Sequence, residues 1–118
     1  MPAPFCDMEK LHEKTCIACD GNVPAFEIDE IHKYLKKIDG WDIKNDEDKK
    51  HYLEKKFKFK NFIDSQKFVN KVSVIAESES HHPDILFGWG YTKIKIFTHS
   101  IKGLSKSDFI LAAKIDQI

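Results

Sequence analysis

Tyr52-Leu53-Glu54-Lys55-Lys56-Phe57-Lys58-Phe59 runs through Lys60-Asn61 into a stretch, Phe62 to Ser80, that keeps a different rhythm. In the first segment Leu53, Phe57 and Phe59 fall on one side and Glu54, Lys56 and Lys58 on the other, the period of two expected of a half-buried strand. Lys55 breaks that pattern on the apolar side. In the second segment Phe68, Val69, Val72, Ile75 and Ala76 recur at helical spacing. Asn61 is placed to cap this helix, and Asp64 suits its first turn. A strand that gives way directly to a long amphipathic helix starts an α+β reading.

Working outward, the pattern repeats on both sides. Upstream, Ile28, Ile31, Leu35 and Ile38 predict a helix over about Asp29 to Asp39, with Gly40 in the favoured stop position. Trp41-Asp42-Ile43 begins a strand, and Asn45 to Lys50 makes a charged turn before Tyr52. Downstream, Ile85 to Trp89 and Tyr91 to Thr98 read as two strands joined near Gly88-Trp89-Gly90. Ile94 and Ile96 point one way, and Lys95, Phe97 and His99 the other. The last helix carries the clearest local signals: Ser105 and Asp108 form an S-x-x-D capping pair, and Leu104 with Phe109 forms a hydrophobic staple. Ala112, Ala113 and Ile115 continue its packed side. The expected order is α-β-β-α-β-β-α, a four-stranded antiparallel sheet with helices packed on one face. Residues 1–25, with Pro2, Pro4, Gly21 and Pro24 and no periodicity, read as an irregular N-terminal leader, and residues 26–118 as one domain.

Composition narrows the function classes. A chain of 118 residues can bury a single core without disulfide staples. Its 19 Lys+Arg balance 19 Asp+Glu, so phosphate-driven nucleic-acid binding is not favoured. Met1 to Lys10 contains no apolar run and no stretch approaches the length of a membrane span, which suits neither a signal peptide nor a membrane partner. Three cysteines, Cys6, Cys16 and Cys19, fit a reducing cytoplasm better than a disulfide framework. Cys16-x-x-Cys19 with Cys6 and His12 is a weak zinc candidate.

The chemistry concentrates after the central helix, in Glu77-Ser78-Glu79-Ser80-His81-His82-Pro83, answered by His99 and Asp108 with Trp89 between. Imidazole can both give and take a proton near pH 7. Pro83 forbids continuation of the helix, so the chain turns extended and the two neighbouring rings diverge. If the last two strands pair as a hairpin, the start of one lies beside the end of the other, and His81 or His82 comes near His99. Asp108 can reach one of these rings and fix its tautomer. Each residue also has a plainer reading: Asp108 as a capping box, Trp89 as core, Glu77 as a solvated helix face, any one histidine as structural. A three-imidazole metal site of His81, His82 and His99 competes, but adjacent histidines on extended backbone do not converge.

These residues resemble the pterin-4a-carbinolamine dehydratase family. Its signature reads here as Glu77-x3-His81-His82-Pro83, Trp89 after five residues, His99 after nine more and Asp108 after eight more. Thr98 to Leu104, Asp108 to Asp116, Phe57 to Phe62 and the Cys16-x-x-Cys19 leader also look like bacterial-type members. The similarity covers about residues 15 to 118, and the charged turn Asn45 to Lys50 matches nothing in it. The resemblance implies a lyase that removes water from 4a-hydroxytetrahydropterin to give quinonoid dihydropterin, recycling pterin for aromatic amino-acid hydroxylation. It implies no metal and no organic cofactor. It further implies His81 and His99 as an acid/base pair, His82 with Glu77 and Pro83 in pterin binding, Asp108 holding an imidazole, and Trp89 walling the pocket. Self-association as a homodimer or homotetramer belongs to the same expectation. A second class, a dimerisation or transcriptional cofactor acting without catalysis, and a paralogue with another pterin substrate, stay open beside it.

Overall fold

The structure, a computed structural model, describes residues 25–118. The expected leader and the three cysteines fall almost wholly or wholly outside the described residues. Three helices and four strands follow in the expected order: α1 Ile28–Leu35, β1 Asp42–Asn45, β2 His51–Lys58, α2 Phe62–Ser78, β3 Asp84–Gly88, β4 Tyr91–Ile96 and α3 Lys106–Asp116. A short 3-10 turn, His99–Ile101, separates β4 from α3.

All strand pairs are antiparallel, but the spatial order is β1-β2-β4-β3. β2, α2 and β3 therefore form a split βαβ unit with β4 inserted between its two strands. The registers set apolar residues side by side: Ile43 faces Leu53, Leu53 faces Ile96, and Ile85 faces Ile94. Leu53, Ile94 and Ile96 are fully buried against Ile31 of α1, Phe68 and Val72 of α2, and Phe109, Leu111 and Ile115 of α3. Transfer of such side chains from water contributes roughly 1.5–3 kcal/mol each, which is what holds the helices to this face.

Local chemistry explains the element ends. Asn61 Oδ1 accepts the Asp64 N–H at 2.8 Å and starts α2. Ser105 and Asp108 complete a capping box at α3, whose staple residues Leu104 and Phe109 are both buried. α1 is shorter than its apolar spacing predicts. It stops at Leu35, and Lys37 and Ile38 close tighter turns onto the Tyr34 and Leu35 carbonyls, so Gly40, with φ of 80°, turns the chain into β1 rather than capping the helix. β4 also ends earlier than expected, at Ile96, so His99 has left the strand.

Lys55, the break in the apolar side of β2, has a definite role. Its ammonium donates to the Asp39 carbonyl at 2.6 Å and to Asp116 Oδ1 at 2.9 Å. Trp41 Nε1–H donates to both oxygens of the same carboxylate, at 3.0 and 3.1 Å. One acid at the end of α3 thus ties down β2 and the entry to β1. No described helix is long and apolar enough to cross a membrane.

Candidate functional site

His81 is set by the way α2 ends. Ser80 adopts the left-handed conformation at φ 53°, the Ser80 N–H donates to the Glu77 carbonyl at 3.2 Å, and the His81 N–H donates to the Ala76 carbonyl at 3.1 Å. This crossed pair is a Schellman motif with serine where glycine is usual. Pro83 then leads directly into β3. The β3–β4 register, continued past Asp84 opposite Lys95, would set His82 level with Phe97 and His81 level with Thr98.

The second half of the site comes from the end of β4 and the start of α3. Thr98 and Gly103 pair as an isolated bridge, with the Thr98 N–H donating to the Gly103 carbonyl at 2.8 Å, and the four-residue excursion between them carries His99. Gly103 is needed for closeness, because a Cβ there would stand 2.8 Å from that of Ala25. Asp108, in the first turn of α3, is fully buried. Its Oδ2 accepts from the Ser105 N–H at 2.7 Å, the Thr98 hydroxyl at 2.8 Å and, more weakly, the Ser105 hydroxyl at 3.4 Å.

The remaining oxygen, Asp108 Oδ1, meets His81 Nε2 at 2.6 Å. A carboxylate only accepts, so the shared hydrogen lies on Nε2. In the neutral ring the unprotonated nitrogen is then Nδ1, on the side turned away from Asp108. The His81 side chain is 14% exposed, enough for a ligand to meet it. The capping-box reading and the catalytic reading of Asp108 are therefore not alternatives: one oxygen caps the helix and the other holds the histidine.

His82 and Glu77 form the other pair, with Nε2–H donating to Glu77 Oε1 at 2.9 Å. Both side chains are largely in water, at 62% and 83% exposure, so this pair orients the ring but contributes at most about 1 kcal/mol. His99 is exposed and its ring lies 4.3 Å, centroid to centroid, from Phe97, tilted by 47°. No group of three His, Cys, Asp or Glu side chains among the described residues is arranged to hold a metal ion.

Trp89 does not join this group. It sits in the turn between β3 and β4, 70% exposed, with the five residues of β3 between it and Pro83. At about 3.3 Å per residue the strand between them spans roughly 17 Å, so the structure does not bring Trp89 beside the histidines within one chain. Thr98 is the residue of this hydrogen-bond network that motif reading missed, and Ser105 was seen only as a helix cap. Thr98 shares the buried side of β4 with Ile94 and Ile96, and a hydroxyl at such a place needs an internal acceptor.

The sequence profile of the family described as pterin 4 alpha carbinolamine dehydratase matches residues 24–118. A protein of Rubrobacter xylanophilus with the provisional name pterin-4-alpha-carbinolamine dehydratase is 42% identical over 111 residues, covering 94% of this chain and 100% of its own. One of Alkaliphilus metalliredigens with the same provisional name is 46% identical over 111 residues, covering 93% and 96%. Among solved structures, a transcriptional coactivator/pterin dehydratase from Brucella melitensis superposes with a TM-score of 0.70 at 25% identity, covering 79% of this chain and 96% of that one. A pterin dehydratase-like protein described as a RuBisCO assembly factor in the alpha-carboxysome shares the fold at TM-score 0.56 and 22% identity, covering 66% and 87%.

Proposed function

Because the chain belongs to the pterin 4 alpha carbinolamine dehydratase family, we propose that it dehydrates 4a-hydroxytetrahydropterin to quinonoid dihydropterin by histidine acid/base catalysis. The observation that carries this reading is the 2.6 Å contact between His81 and a carboxylate withdrawn entirely from water. In the reaction the C4a–O bond breaks, a proton joins the departing hydroxyl to make water, and N5 gives up its proton as the C4a=N5 double bond forms. One group must donate and another accept.

Imidazole is suited to both. At pH 7 and an ordinary pKa of about 6.5, roughly a quarter of free imidazoles are protonated, so both forms are at hand. His81, with its Nε2–H committed to Asp108, offers Nδ1 to the substrate, and His99 serves as the opposite member of the pair. His82, steadied by Glu77, binds and orients the pterin beside Pro83. Asp108 is a positioning residue. The reaction as written uses no metal or organic cofactor, and the protein would act as a homodimer or homotetramer in the cytoplasm.

Absorbance at the quinonoid dihydropterin band measures the activity directly. Wild-type protein accelerates the dehydration, and His81→Ala lowers turnover at least tenfold while circular dichroism shows the fold intact. Ordinary turnover in that variant would sink the role of His81, and no acceleration by the wild type would sink the whole reading. A second reading, a binding module without catalysis, draws on the coactivator and assembly-factor descriptions of the two structural neighbours. It predicts no acceleration together with retained partner capture by His81→Ala.

A further inference from the structure

The charged turn between β1 and β2, which the family resemblance leaves unaccounted for, lines a cleft next to His99. Tyr52 and Phe97 supply its aromatic surface, and Lys50, Lys95 and Lys102 its cations. The Lys95 ammonium stands 4.2 Å from the Tyr52 ring centroid and 5.6 Å from that of Phe97. Phe97 also touches the His99 ring, so the cleft and the candidate catalytic group share a wall. His51 borders the cleft as well, and its Nδ1 is buried without a hydrogen-bond partner. Such an orphaned ring nitrogen is costly unless a ligand or water meets it.

Charge and size define the occupant. Two acids, Asp46 and Asp48, also line the cleft. Asp46 Oδ1 is spent on the backbone N–H groups of Asp48 and Lys50, at 2.9 and 2.8 Å, which shapes the turn. Three ammonium groups against two carboxylates leave the cleft cationic. Its volume is about 160 Å³. That is well below the roughly 300 Å³ at which complete small-molecule pockets begin. The space suits a substituent, not a whole bicyclic ligand.

We propose that this cleft is a subsite for an anionic side chain of the pterin, a phosphate ester or a carboxylate carried at the ring's substituted carbon. The inference rests on the pterin reading above: the ring lies against the histidines and its tail passes His99 and Phe97 toward Lys95 and Lys102. The turn Asn45 to Lys50 then selects among substrates of one reaction class.

Fluorescence titration with three oxidised, unreactive pterins tests this: one with a neutral dihydroxypropyl tail, its phosphate monoester, and a glutamate conjugate. The wild type is expected to bind one or both anionic pterins about tenfold more tightly than the neutral one, and the tighter of the two identifies the tail. Lys95→Ala and Lys102→Glu should each collapse that ratio toward one, as should 0.5 M salt through screening. Equal affinity for all three ligands overturns the subsite and leaves the pterin reading standing. A preference that survives both substitutions overturns it too, whereas failure to bind any pterin removes both readings.

Discussion

Asp108 is the residue on which stability and chemistry meet. Replacing it with alanine removes the acceptor for the Ser105 N–H and the Thr98 hydroxyl, both buried, along with the partner of His81. Lost capping and orphaned donors together predict about 2–4 kcal/mol of destabilisation, read as a shifted denaturant midpoint. Asp108→Asn separates the two roles. Its carbonyl can still accept from Ser105 and Thr98, which turns the amide N–H toward His81 Nε2 and forces the proton onto Nδ1. The expected outcome is a stability loss of about 1 kcal/mol with at least a tenfold fall in turnover, and nitrogen NMR shifts of His81 that report the exchanged tautomer. A variant that keeps both activity and tautomer would refute the positioning role. At Ser80 the sign reverses. Glycine there relieves a left-handed backbone, so Ser80→Gly should raise stability by about 0.5–1 kcal/mol without moving His81.

Among the elements, the end of α3 is the other place where one side chain serves several partners. Asp116→Ala removes the acceptor of the Trp41 indole N–H and one of the two acceptors of the Lys55 ammonium, which keeps the Asp39 carbonyl. A loss of about 1.5–3 kcal/mol is expected, and Lys55→Met should cost less, about 1 kcal/mol, because Trp41 keeps its bond. A double-mutant cycle over positions 55 and 116 measures the coupling directly. Nothing in the alternating pattern of β2 announced this, since Lys55 looked only like an exception. Its meaning needed the long-range fact that α3 ends above it. The helices and strands themselves were legible because each has local signals: the Asn61 cap, the Ser105–Asp108 box, the period of two in β2. Strand order was not, because β4 inserts between β2 and β3 through contacts far apart in the chain. The site divides the same way. That Asp108 reaches one of the histidine rings follows from spacing, whereas the bond between His82 and Glu77 depends on how the chain leaves the end of α2, and Trp89 shares a motif with the histidines but stands in the turn at the far end of β3.

Across the whole molecule, several large apolar side chains stand in solvent. Val74 on α2 is 71% exposed and Leu86 on β3 56%, beside Trp89 in the hairpin turn, and β3 is an edge strand. Exposed apolar area and an unpaired edge invite a second copy of the chain. Sedimentation equilibrium should return a dimer or tetramer mass, and Leu86→Lys or Val74→Lys should lower it. A monomer at micromolar concentration would refute self-association.

The carboxylate of Asp108 has a last consequence, because one of its oxygens holds a backbone proton that spectroscopy can follow. The Ser105 amide, 2.7 Å from Oδ2, sits on the same acid as the His81 ring. Its proton resonance should move when a ligand docks against His81, even though Ser105 itself is sheltered from solvent. A single sheltered amide signal could then be tracked during titration as a built-in gauge of occupancy, with no label placed on the ligand.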